Sequence, residues 1–176
     1  MAINWNNVED KYQKNFKDYA PEGEYTTTVE SVELVTASTG NTGVRFNLAE
    51  TDEYKFPKYG VTFYNTKNES WRQHHMKELF VVLGMTEDQA RKSVEMCEDK
   101  SDVMDAYQKV FTKFLPKQKP AEIVVFKVKP EDQYATWDFK SGKVRMNRPE
   151  AETKAKSAPA SPIEDAEAID LSELPF

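Results

Sequence analysis

The spacing of apolar residues changes twice along this chain, and few folds accommodate both changes. From Glu24 to Leu48 the pattern alternates: Tyr25, Thr27 and Val29 share one face, then Val44, Phe46 and Leu48 point one way with Arg45 and Asn47 between them. A period of two is the mark of a half-buried strand. From Ser70 the period lengthens, and Trp71, His75, Leu79, Val82 and Leu83 fall roughly on one helical face. At Ala121 the alternation returns through Val124, Phe126 and Val128, which are core candidates.

Punctuation residues divide these stretches. Residues 3–20 read as an arm of helical character, with Val8, Tyr12, Phe16 and Tyr19 at helical spacing, ended by the Pro21-Glu22-Gly23 turn. Glycines in Ser38–Gly43 predict a hairpin loop after the first strand. A third strand region, Tyr54 to Asn65, is interrupted at Pro57 and Gly60, as at a bulge or barrel corner. Ser70 is a candidate cap for a helix ending near Gly84, and Thr86 with Gln89 forms a capping-box signature for a second helix to about Glu98. A third helix opens at Ser101 and stops at Pro116, and a hairpin around Ser141-Gly142 spans Tyr134 to Met146. Three strands, a helical crossover and two or three further strands follow the order of a five-stranded OB-type barrel, a mainly β architecture that binds oligonucleotides around strands two and three. The expectation is one such domain over residues 1–149, with a helical insertion at about 86–116 between strands 3 and 4. Residues 150–176 are expected to form a disordered acidic tail, because they lack apolar periodicity.

Composition narrows the classes. The longest apolar run, Leu79 to Leu83, is far short of the ~20 residues needed to span a bilayer. The start of the chain has no secretory pattern, and the single cysteine, Cys97, excludes an internal disulfide framework. A cytoplasmic protein with no membrane partner is expected. The net charge of −6 is unevenly distributed: residues 150–176 hold seven acidic residues and two lysines, whereas residues 109–148 hold ten basic and four acidic ones. A basic segment beside an acidic tail does not exclude nucleic acid, but charge alone favours a solvated lysine-rich face.

No motif specifies catalysis, a metal or a cofactor. His74 and His75 are neighbours on a helix and diverge by roughly 100°, too far to chelate one ion together. Aromatic and basic interleaving is more informative. Tyr54 to Tyr64 contains five aromatic residues and two lysines, more rings than one alternating face absorbs, and a second cluster gathers Tyr134, Trp137, Phe139, Lys140, Lys143 and Arg145. Stacking rings beside cations are what single-stranded nucleic acid requires. The candidate DNA-binding set is therefore Arg45, Lys55, Lys58, Tyr59, Phe63, Trp137, Phe139, Lys140, Lys143 and Arg145. The competing reading of each cluster is a packed core with a lysine rim.

The chain closes on Ile163 to Phe176, acidic and ending Leu-Pro-Phe. An aromatic ring filling a pocket, with carboxylates meeting a basic rim, makes Asp170, Leu171, Leu174, Pro175 and Phe176 candidate partner-binding residues. This tip resembles that of bacterial and phage single-stranded DNA-binding proteins. The body, through Pro21-Glu22-Gly23-Glu24-Tyr25, Gly43-Val44-Arg45-Phe46-Asn47-Leu48 and Trp71 to Gly84, resembles phage-encoded OB-fold members of that family. The resemblance implies sequence-independent binding of single-stranded DNA in phage replication, recombination and repair. It also implies recruitment of replication or recombination proteins by the tail, and no catalysis. Alternatives are a recombination annealing or mediator protein and an acidic adaptor without DNA affinity, with self-association open.

Overall fold

The computed structural model describes residues 4, 6–7, 16–58 and 60–141. Within them the chain forms three sheets and three helices. The first alternating segment is one long strand broken at Thr28 into β2 (Gly23–Thr27) and β3 (Val29–Thr36). β3 pairs antiparallel with β4 (Thr42–Leu48), which pairs antiparallel with β6 (Thr62–Tyr64). β2 instead pairs with β7 (Ala121–Phe126), and β7 pairs with β8 (Thr136–Phe139). A small parallel pair joins β1 (Asp18–Tyr19) to β5 (Tyr54–Lys55).

Between β6 and β7 lie the helices α1 (Glu69–Val82), α2 (Glu87–Glu98) and α3 (Val103–Phe114), followed by a 3-10 turn at Leu115–Lys117. The α2 capping box is formed as the Thr86-to-Gln89 spacing predicts. α1 begins earlier than expected because Asn68, not Ser70, accepts the Trp71 N–H. Asp102 rather than Ser101 caps α3. The helical layer packs on the inward row Val32, Val44, Phe46 and Phe63 through Met76, Leu79, Phe80, Tyr107 and Phe111, all buried. Phe80 stacks on Phe111, which meets Phe46 edge-on.

The expected five-stranded closed barrel is not what the chain builds. Among the described residues the three sheets remain separate and open, and no ladder joins β6 to β8. The three helices also form a substantial layer rather than an insertion into a mainly β domain. The physical reason lies in the segment between β5 and β6. Pro57 and Gly60 do not make a bulge within one strand; they take the backbone out of the ladder. There it lies on the indole of Trp137, whose Nε1–H donates to the Pro57 carbonyl at 3.1 Å. A Cβ on Gly60 would sit 1.7 Å from that nitrogen, so only glycine permits the approach. Side-chain packing, including Phe139 edge-on to Phe46, fills the seam where strand pairing would have closed a barrel.

One further expectation fails locally. Val128 lies beyond the end of β7 and is exposed rather than in the core. The helical arm is described only in part: residues 16–20 run as an extended strap, and most of residues 3–15 and the turn at Gly142 lie outside the described residues, as does the tail. No helix among the described residues is long and apolar enough to cross a membrane.

Candidate functional site

The outward faces of β3 and β4 form the floor of the candidate site. Because Val32 pairs with Phe46 on the inner face, the intervening Ser31 and Glu33 of β3 stand opposite Asn47 and Arg45 of β4 on the outer one. A register shift between Val29 and Ser31 brings Glu30 to the same rim. The segment after β5 supplies the opposite wall, so that Glu30, Ser31, Glu33, Arg45, Asn47, Leu48, Glu50, Phe56, Pro57 and Lys58 enclose an open groove of about 390 Å³.

Its charge is mixed, with carboxylates in the majority. Glu50 is occupied by Lys17 at 3.3 Å, and the same ammonium donates to the Thr51 carbonyl at 2.7 Å. Arg45 donates through Nε to Thr62 Oγ1 at 3.3 Å, and Asn47 donates to Ser31 Oγ at 3.0 Å. Glu30 and Glu33 are exposed and form no ion pair among the described residues. The groove therefore offers hydrogen-bonding groups in two rows, two open carboxylates, and the half-buried ring of Pro57, behind which Leu48 and Phe56 are buried.

The residues expected to bind DNA are dispersed. Arg45 and Lys58 line the groove. Lys55 is turned away into the strap, its Nζ 5.1 Å from the centre of the Phe16 ring and 4.6 Å from that of Tyr19, a cation–π clamp on β1. Phe63, Trp137 and Phe139 are fully buried: they form the core and offer no face on which a base could stack. Lys140 pairs with Glu24, with Glu122 also nearby at 3.9 Å. Tyr59, Lys143 and Arg145 lie outside the described residues, as do Asp170, Leu171, Leu174, Pro175 and Phe176. The groove residues that sequence reasoning passed over are Glu30, Ser31, Glu33 and Asn47. The alternation that placed Arg45 outward would have placed Asn47 with it, and the hairpin register would have set Glu33 and Ser31 opposite.

A second polar cluster holds the helices together. Arg72 of α1 pairs with Glu98 at the end of α2, and its Nη1 donates to Asn65 Oδ1 at 3.0 Å and the Thr66 carbonyl at 2.8 Å. The Tyr107 hydroxyl of α3 donates to Glu98 Oε1 at 2.6 Å. Burial pushes the Glu98 carboxyl up, but the hydrogen bonds from Arg72 and Tyr107 outweigh it and hold its pKa below the ordinary carboxylate value. The Arg72 pKa is raised in turn, chiefly by its hydrogen bond to Glu98. Every polar arm of this network meets a structural partner, so it braces three helices and the β6–α1 loop. Elsewhere His75 Nδ1 lies 2.9 Å from the Trp71 carbonyl, and no group of three or more His, Cys, Asp or Glu among the described residues is placed to hold a metal.

No protein-family model, curated protein or solved structure matches the chain. Together with the unclosed sheets and the buried rings, this overturns the resemblance to phage OB-fold single-stranded DNA-binding proteins, and with it the replication and recombination role that the resemblance implied.

Proposed function

We propose that this chain works by binding rather than by catalysis, and that its ligand is an extended polypeptide segment bearing basic side chains, laid along the β3–β4 groove. The observation that carries this reading is the pair of open carboxylates, Glu30 and Glu33, set on a floor that also holds Arg45, Asn47 and Ser31. With Glu50 paired to Lys17, Glu30 and Glu33 balance Arg45 and Lys58, so the groove offers a polyphosphate no net positive field to draw it in. A basic peptide would meet Glu30 and Glu33 with its cations, find donors and acceptors for its backbone in Ser31 and Asn47, and rest an apolar residue on Pro57.

Calorimetric titration of the full chain tests this with three ligands: an unstructured Lys/Arg-containing peptide, its Glu-substituted counterpart, and oligo-dT. The basic peptide should bind with micromolar affinity, weaken with added salt, and lose at least about tenfold on Glu33→Lys, a change of roughly 1.4 kcal/mol. Preference for oligo-dT, or equal affinity for both peptides, overturns the reading.

A further inference from the structure

The two long edges of the β3–β4–β6 sheet are finished differently. Along β3 the edge is closed by glutamine side chains. The Val29 N–H donates to Gln118 Oε1 and the Gln118 amide donates back to the Val29 carbonyl, both at 2.8 Å, while Gln108 donates to the Val32 carbonyl at 2.8 Å. These amides occupy the positions a neighbouring strand would take, a recognised way to protect an edge.

Among the described residues β6 has no such cover. Its ladder bonds to β4 run through alternate residues: the Phe46 N–H donates to the Val61 carbonyl at 3.0 Å and the Asn65 N–H to the Thr42 carbonyl at 2.8 Å. Phe63 lies between them, opposite Val44. The backbone groups of Thr62 and Tyr64 consequently point away from β4, and among the described residues no hydrogen bond reaches them. The segment Gly60-Val61-Thr62-Phe63-Tyr64-Asn65-Thr66 contains no charge. Half-exposed rings flank the edge, Tyr64 at 38% and Trp71 at 42%, the latter stacked on Phe63 with centroids 5.1 Å apart.

We infer that this edge pairs with the same edge of a second copy of the chain, antiparallel and centred on Phe63. The register is self-complementary. Thr62 of one copy falls opposite Tyr64 of the other and the reverse, so the outward groups make two hydrogen-bonded pairs, about four bonds in all. A two-fold axis through Phe63 also brings the Trp71 rings of both copies toward each other, and the uncharged edge presents no like-charge repulsion. The result is a continuous six-stranded sheet carrying both β3–β4 grooves on one surface. This inference rests on the edge alone and is independent of what the grooves bind.

Sedimentation velocity of the full chain from about 1 to about 300 µM should show a reversible dimer, as expected for a small interface. Across the same range the amides of Thr62 and Tyr64 should slow in hydrogen exchange by at least about tenfold, while exposed amides elsewhere stay unchanged. Thr62→Pro, which removes an outward donor, should abolish the dimer. Because proline can also disturb β6, the unaltered chain is tested as well: with two isotopically distinct copies mixed, Lys67 of one should cross-link to Lys58 of the other, which the register sets near it, and only where the dimer forms. A monomer throughout the range, or a dimer whose Thr62 and Tyr64 amides are indifferent to concentration, overturns the inference.

Discussion

Arg72 and Arg45 both make polar contacts beside β6 and do opposite work. Arg72, on α1, has a side chain only 8% exposed, and its contacts reach Glu98, Asn65 and Thr66. Arg45, on the outer face of β4, touches the Thr62 hydroxyl and looks along a groove with two open carboxylates. On the helical side, charge is committed to structure, since a buried ion is tolerated only when fully partnered. On the strand face the carboxylates of Glu30 and Glu33 stay in water, where charge contributes little to stability and remains available to a ligand.

The largest effect that could break this contrast is loss of the buried pair. Glu98→Gln should lower unfolding stability by roughly 3–5 kcal/mol in urea denaturation, because Arg72 keeps its burial and loses its counter-charge. The pH dependence has a definite sign. The Glu98 pKa is lower folded than unfolded, so its contribution is complete above the unfolded value of about 4.3 and fades as pH falls through the folded one. The wild-type chain should therefore lose its advantage over Glu98→Gln on acidification below about pH 4. A gap between the two that stays constant with pH would mean the ion pair is not what stabilises this corner.

Next in size is the seam. Gly60→Ala should cost about 1–3 kcal/mol and shift Trp137 fluorescence, since the new methyl must displace either the indole or the backbone above it. Gln118→Ala should cost about 1–2 kcal/mol by leaving both Val29 backbone groups unpaired. Measured on the groove, Glu33→Gln should change stability by less than about 0.5 kcal/mol while weakening the basic peptide; a destabilisation as large as that of Glu98→Gln would erase the distinction between the two regions. The smallest expected signal is chemical. Burial pushes the Cys97 thiol up to about 12, so at pH 8 it should stay unalkylated until the chain unfolds.

How much of this was legible depends on whether the deciding interaction was local. The period-two row Val44, Phe46 and Leu48 is buried as its spacing required, and the α2 cap could be read from four residues. The aromatic run 54–64 misled because counting rings against one alternating face assumes one continuous strand. β5 and β6 belong to different sheets, so the rings bury in separate directions: Tyr54 beside Tyr25, Phe56 also against Tyr25, and Phe63 under Trp71. Trp137 and Phe139 do share a strand face, as their spacing predicted, but it is the inner one. Which face of a strand turns inward is settled by what packs on it, here the segment around Gly60, some eighty residues earlier in the chain. The open carboxylates were hidden for the same reason: Glu33 becomes a groove residue only once its partner is known to be Arg45.

The break at Thr28 leaves two sheets threaded on a single length of backbone. Thr27 and Val29 sit in different ladders, with partners more than seventy residues apart in sequence, Ala121 for one and Leu48 for the other. A shift of one residue anywhere in 23–36 would move both ladders at once and turn two inner faces outward together. Neither sheet can therefore melt as a private event. Native-state exchange should find the amides of β2 and β3 opening in one cooperative step, at the free energy of global unfolding, whichever sheet is perturbed.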